Sequence, residues 1–346
     1  MRAEIKKCYI SKNYNNPFTA SSKAKLDAET VLKNNGYKNL GLPPTTIDNF
    51  WGSILTFISN LTGVIKMPFN QLMVFQLPQH NLGWKFRIAR KKKNRIVLII
   101  HDLNSIRYKN DKDLKFFHEA DFLVCHNEAM KKWLVERGVK SPDKIFNLGI
   151  FDYLADDEIK SYSSPRFDKQ RIKVAFAGNL TKSNFLNYCQ FDKITLNLFG
   201  IKNSDFKTAP GMKYVGCFAP DKLYRYLDSH FGLCWDGDSA EGCKGIIGEY
   251  ISYISPHKVS MYLSAGLPVI IWEKAGVADF IKENKLGILI GSLNDLEHRL
   301  LELSVEEYEE MKRNVESVRD KILKGGFLTS TLHKIENKIA TGYESD

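Results

Sequence analysis

From Met73 onward the chain alternates short apolar runs with longer amphipathic ones, and this rhythm limits its fold more than any other feature. A parallel pair of strands needs a crossover long enough to hold a helix, so strand-length runs separated by helix-length segments point to sheets built from βαβ units. The expected strands are 7–10, 72–77, 96–101, 122–126 and 145–148, then 173–176, 194–199, 214–217, 231–235, 268–272 and 287–290. Helices are expected at 221–228, 257–265, 275–283, 304–321 and 328–339. Between the two strand series lies DDEIKSYSSPRFDKQ, residues 156–170, a polar stretch that reads as a linker. The fold class expected is α/β, with two Rossmann-like doubly wound domains in succession. Their bounds are 1–160 and 161–325, followed by a helical segment, 326–346, that crosses back to the first domain.

With 346 residues, 43% of them hydrophobic and 26% charged, the chain has material for two cores. Its formal charge of +10 attracts polyanions: nucleic acid, an anionic membrane face or a phosphorylated ligand. Helix-turn-helix, zinc-finger and RNA-binding patterns are absent, which argues against nucleic acid as a partner. Cysteines 8, 125, 189, 217, 234 and 243 form no CxxC pair and no metal-ligand spacing, so neither a metal nor a bound cofactor is expected. Cys125, Cys217 and Cys234 lie in apolar runs and are expected as buried thiols. The start, MRAEIKKCYISKN, lacks the apolar core of a secretory signal, and a cytoplasmic location is expected. No short repeat supports a solenoid.

Segment 47–67 places Phe50, Trp51, Ile54, Phe57, Ile58 and Leu61 at helical spacing, yet Asp48, Asn49, Ser53, Thr56, Asn60 and Thr62 make it too polar to span a bilayer. It reads as an amphipathic helix packed on a sheet, with Phe50, Trp51 and Phe57 alternatively forming an oligomer surface. The basic run KFRIARKKKNR, 85–95, reads as a solvated helix C-terminus, with contact to anionic lipid as the second reading.

Ligands of doubly wound sheets bind beyond the carboxyl ends of the strands, so the residues just after each strand carry the functional argument. In SPHKVSMYLSAGLPVII, 255–271, Pro256 and His257 open a helix whose first turn holds Lys258, where the dipole already favours phosphate. Tyr262 and Leu263 continue an apolar face and Gly266 ends the helix. In FAGNLTKSNFL, 176–186, Gly178 permits close backbone approach, Asn179 offers an amide fork and Lys182 a cation; a tight turn with a solvated lysine is an equal reading. HDLNSIR, 101–107, offers Asp102 as a general base and Arg107 as a clamp, or Asp102 as a helix cap. NNPFTASSKAKLD, 15–27, is a Ser/Thr-rich helix entrance whose backbone amides suit a phosphate or a sugar hydroxyl, or is an ordinary cap loop with exposed lysines. WDGDSAEGCKGIIGEY, 235–250, nearly spells a phosphate-cradling loop, but its lysine comes one place late and no Ser or Thr follows, which excludes nucleotide hydrolysis. Its glycines read as a mobile segment.

Together FAGNLTKSNFL, the block SPHKVSMYLSAGLPVIIWEKAGVADFIKENKLGI, IIHDLNSIR, DFLVCHNEAMKKWL and IFDYL resemble the GT-B sugar transferases. The likeness is greatest to the group that holds the glucosyltransferases extending glycans on serine-rich repeat adhesins and the galactofuranosyltransferase-like proteins. The resemblance implies two Rossmann-like domains facing across a cleft, with a UDP-sugar bound by the second and a glycan acceptor by the first. It implies metal-free chemistry, because basic residues and helix amides neutralise the leaving diphosphate. Carried over, it makes Ser21, Ser22, Gly178, Asn179, Lys182, Pro256, His257 and Lys258 donor-binding residues, and Asp102 and Lys258 catalytic. The Glu-x7-Glu pattern of the broader GT-B group is missing at 255–258, and Glu241 and Glu249 have that spacing but fall too early. The function implied is transfer of a hexose, glucose or galactofuranose, from a UDP-sugar to a glycan on a protein or lipid carrier. A non-catalytic nucleotide-sugar-binding subunit and an epimerase of a free UDP-sugar are the alternatives. Peripheral association with the inner membrane face and homo-oligomerisation stay open.

Overall fold

The structure, a computed structural model, describes residues 6–12, 14, 20–47, 49–79, 81–156, 158–159, 162 and 164–342. Its backbone divides into two units, one reaching to Leu148 and resuming at Gly325, the other running from Gly149 to Lys324.

The first unit is built on a six-stranded parallel sheet: β1 (Lys7–Tyr9), β2 (Lys38–Asn39), β3 (Leu72–Leu77), β4 (Arg95–Ile100), β5 (Phe122–Cys125) and β6 (Ile145–Asn147), in the order β2-β1-β3-β4-β5-β6. The second holds β7 (Ile172–Ala177), β8 (Ile194–Phe199), β9 (Met212–Gly216), β10 (Phe231–Cys234), β11 (Val269–Trp272) and β12 (Gly287–Ile290), also parallel, in the order β12-β11-β10-β7-β8-β9. Every residue of β3 and β10 is buried, as strands covered on both faces require. In each sheet the winding reverses once, between β1 and β3 and between β7 and β10. Such a reversal opens a crevice above two adjacent strand ends, where ligands of this architecture bind.

The helix His257–Ser264 is fixed over the second crevice by its core residues. Tyr262 is fully buried, and its hydroxyl accepts a 2.7 Å hydrogen bond from the amide of Ala177, at the end of β7. Its ring lies flat on Gly232 of β10, where a Cβ would stand 2.1 Å from the ring. The chain then turns at Gly266 with φ +76, and Leu267 donates to the Tyr262 carbonyl at 2.9 Å. Arg319, from the helix Val305–Leu323, donates to the Ser264 carbonyl at 2.8 Å and locks the helix end.

Four expectations are corrected. Residues 221–228 hold only a 3₁₀ turn, Leu223–Tyr226, before β10. The described part of 156–170 is no solvated linker: Ile159 is buried and Phe167 stacks on Tyr308 at 4.4 Å, anchors that the surrounding polar residues hid. Cys217 lies just past the end of β9 and is exposed. The helix Phe50–Ile65 forms, but it packs through Gly52, Ser59, Asn60, Gly63 and Val64, while Phe50, Trp51 and Phe57 face outward. Among the described residues no helix is long and apolar enough to cross a membrane.

Gly232→Ala is expected to destabilise the fold by about 2 kcal/mol or more, because neither Tyr262 nor the strand can yield 1 Å or more in a packed core. Gly83→Ala, with no atom closer than 3.7 Å to the new methyl, serves as the control and shifts stability by less than about 1 kcal/mol in chemical denaturation.

Candidate functional site

Lys258 stands in the first turn of the helix His257–Ser264 and reaches across the β7/β10 crevice. Its ammonium lies 3.1 Å from Asp236 Oδ1 and 3.5 Å from the Trp235 carbonyl, both just beyond β10. It also lies 4.9 Å from the centre of the Phe176 ring on β7. A Cβ on Gly178 would come within 3.6 Å of this nitrogen, so the glycine leaves the amine uncovered from the β7 side. The Lys258 and Asp236 side chains keep 21% and 30% exposure, so the pair is held in place while remaining open to solvent. A cation so placed, at a helix amino end and with one face open, suits a di-anionic group.

Asn179 is partly committed to its own turn: its Oδ1 accepts from the Thr181 amide at 3.0 Å and the Thr181 hydroxyl at 2.6 Å. Lys182 ends the same short turn, Leu180–Lys182, and is exposed. Pro256 is the helix cap, and the ring of His257 packs against Tyr153 at 5.0 Å and Phe151 at 6.0 Å. The structure therefore brings Gly178, Lys258 and Asp236 together, and leaves Lys182 on a neighbouring exposed turn. The loop after β10 is tightly folded rather than loose. Gly237 has φ +104, and a Cβ there would stand 2.3 Å from the Lys244 carbonyl.

The first unit has its own polar crevice at β1/β3. Helix Ala20–Asn34 places Lys25 and Glu29 one turn apart on its sheet-facing side, and both are buried. Glu29 accepts from Ser11 Oγ at 2.5 Å and from the Tyr14 hydroxyl. Burial pushes its carboxyl up to about 7, against the pull of these hydrogen bonds and of Lys12. Lys25 donates to the Pro78 carbonyl at 2.9 Å, and burial, helped by Lys12, brings its amine down to about 8 against the charge of Asp102. Lys12, Tyr14, Lys25, Gln76 and Pro78 line one small pocket here. Asp102 itself accepts from Arg107 at 2.9 Å, and Leu103 holds the cap position of the helix Asn104–Arg107. Lys23 and Lys25, expected as exposed lysines of a cap loop, are buried within the helix, Lys23 paired with Asp27 at 2.8 Å. Ser22 stands in the first turn of that helix; the Ser21 side chain and residues 15–19 lie outside the described residues.

Residues 7–150 match the family model described as glucosyltransferase 3-like, N-terminal domain, and residues 174–335 match its C-terminal counterpart. The β-1,6-galactofuranosyltransferase WbbI of Escherichia coli (strain K12) is 31% identical over 331 residues, covering 93% of this chain and 96% of its own. The chain belongs to the glucosyltransferase 3-like family of GT-B glycosyltransferases. Glucosyltransferase 3 of Streptococcus parasanguinis is 24% identical over 310 residues, covering 86% of this chain and 87% of its own. In overall fold this glycosyltransferase is similar to the solved α,α-trehalose-phosphate synthase (UDP-forming) from Burkholderia vietnamiensis, with TM-score 0.58 and 12% identity over 98% of this chain and 99% of the other.

Sequence reasoning did not single out Lys12, Tyr14 or Glu29. The available signal was the pair Lys25 and Glu29 on a helix whose neighbours Ala24, Ala28 and Val31 are core residues. Glu29 carries a measurable consequence. Between about pH 4.5 and 7 the folded state holds a proton that the unfolded chain has released, so this group's contribution to stability is lost as pH rises through that window. Relative to Glu29→Gln, the wild type is expected to lose up to about 1.4 kcal/mol per pH unit between about pH 5 and 7, read from urea midpoints.

Proposed function

We propose that this glycosyltransferase moves a hexose, glucose or galactofuranose, from a UDP-sugar to a hydroxyl of a glycan carried by a protein or a lipid. The observation that carries the reading is the Lys258 ammonium, fixed at the β7/β10 crevice and still solvent-accessible. The names of the two relatives, a galactofuranosyltransferase and a glucosyltransferase, support the hexose.

In the reaction the bond from the anomeric carbon to the β-phosphate oxygen breaks, and a bond to the acceptor oxygen forms. Negative charge collects on the departing diphosphate. Lys258 neutralises that charge, exchanging Asp236 for phosphate oxygens as its partner, and the amino end of its helix adds to the field. Asp236 aims the lysine before the donor arrives. The absence of a Cβ at Gly178 lets the diphosphate approach the backbone, and Asn179, Lys182, Pro256 and His257 line its approach. Asp102, oriented by Arg107, takes the proton of the acceptor hydroxyl. With charge neutralisation assigned to the chain's own cations, we propose that transfer needs no metal ion.

Purified protein is expected to release UDP from a UDP-hexose in the presence of a glycan acceptor, and to do so in excess chelator. Lys258→Ala is expected to lower turnover on the order of 10²-fold, the loss of about 2 to 4 kcal/mol of transition-state stabilisation, with its melting temperature nearly unchanged. UDP binding without transfer to any acceptor in a broad panel would instead favour an assisting subunit. Full activity in Lys258→Ala would remove the lysine from the chemistry.

A further inference from the structure

The helix Phe50–Ile65 is amphipathic in the reverse of the usual sense. Its inner face is made mainly of small and polar residues, Gly52, Ser59, Asn60 and Gly63 beside Val64, and three of these have specific partners. Gly63 lies against Ile10, where a Cβ would stand 2.7 Å from that side chain. The Ser59 hydroxyl donates to the Ser11 carbonyl at 2.7 Å and accepts from the Leu42 amide at 2.8 Å. Asn60 Oδ1 accepts from the fully buried ammonium of Lys85 at 2.9 Å. Rolling the helix to bury its apolar side would strip Lys85 and the Ser11 carbonyl of these partners, so the orientation is fixed from inside.

The outward face therefore consists of Phe50, Trp51, Phe57, Ile65 and, just beyond the helix, Phe69, each between 61% and 74% exposed, with Ile58 and Leu61 between them. A contiguous apolar surface on the order of several hundred Å² marks an interaction or membrane surface. Its surroundings are basic. From residue 49 to residue 101 the sequence has no Asp or Glu, and Lys66, Arg87, Arg90, Lys91 and Lys93 are exposed, Arg90 paired with Asp121. The cationic end of the helix Leu82–Lys91 is tied to the same edge. Lys92 lies over the Phe69 ring at 5.2 Å, Asn94 donates to the Pro68 carbonyl at 2.8 Å, and the Asn70 amide donates to the Lys92 carbonyl at 3.0 Å.

We propose that Phe50–Ile65 is an in-plane anchor that seats the first unit on an anionic lipid bilayer, its aromatic side chains entering the headgroup region and Lys66, Lys91 and Lys93 meeting the lipid phosphates. The helix lies on the bilayer and does not cross it. A second copy of the chain fits this face less well, because a two-fold contact through it brings two like-charged rims together. The anchor is independent of which sugar the enzyme transfers.

The test is co-sedimentation of the full-length protein with vesicles of phosphatidylcholine alone or with about 30 mol% phosphatidylglycerol. The wild type is expected to bind the anionic vesicles at least about tenfold more tightly, and to weaken as NaCl rises from about 50 to about 300 mM. Trp51→Ser/Phe57→Ser and, separately, Lys91→Glu/Lys93→Glu are each expected to lose about tenfold or more of that affinity with unchanged melting temperatures, since all four side chains are exposed. Failure of the wild type to bind anionic vesicles overturns the proposal. A dimer in light scattering that Trp51→Ser/Phe57→Ser converts to a monomer assigns the face to a second copy and overturns it equally.

Discussion

The ion pair between Lys258 and Asp236 is the interaction on which the account rests, and it exists because the second sheet reverses its winding between β7 and β10. The reversal leaves room above two neighbouring strand ends, and the helix His257–Ser264 begins beside that room. A lone ammonium in such a crevice would lose hydration without compensation, whereas Asp236 and the Phe176 ring give it partners and aim it. The pair retains enough exposure for its carboxylate to be exchanged for a phosphate. The buried Tyr262 hydroxyl and the bare Gly232 surface set the height of the helix over the sheet, so the position of Lys258 depends on core packing several residues away.

The first unit applies the same topology to a different end. Its reversal, between β1 and β3, holds Lys12, Lys25 and Glu29 in a drier setting, where burial displaces all three from their usual titration ranges. The Ser11 and Tyr14 hydroxyls hold Glu29 and the Pro78 carbonyl holds Lys25, which makes the crevice a stiff polar platform. Asp102 and Arg107 rise from the next strand end, close enough for Asp102 to act on the charge of Lys25.

Much of the scaffold was legible in the sequence. The bounds expected for 72–77, 194–199 and 287–290 coincide with β3, β8 and β12, because each is a short, mostly apolar run with polar or turn residues at its edges. The two-residue strand β2 has no such run. Lys258 was legible because its position in the first turn is a local property of SPHK, whereas its partner Asp236 lies 22 residues earlier and is joined to it only by the sheet. Lys25 reads as an exposed lysine of a cap loop and Glu29 was not singled out, because only the core residues Ala24, Ala28 and Val31 around them record that this helix face lies over a sheet. In Phe50–Ile65 the 3.6-residue period revealed an apolar stripe but not its direction. The overlooked clue was the opposite stripe, Gly52, Ser59, Gly63, where close backbone approach leaves no room for large side chains.

The central claim, that Lys258 binds the diphosphate of the donor, is tested most directly by calorimetric titration of UDP and of uridine into wild type and Lys258→Ala. The account predicts that the variant loses on the order of 10-fold or more in affinity for UDP, the worth of one charge-assisted phosphate contact, while uridine binds both proteins equally. Equal losses for UDP and uridine, or no loss for either, would contradict it.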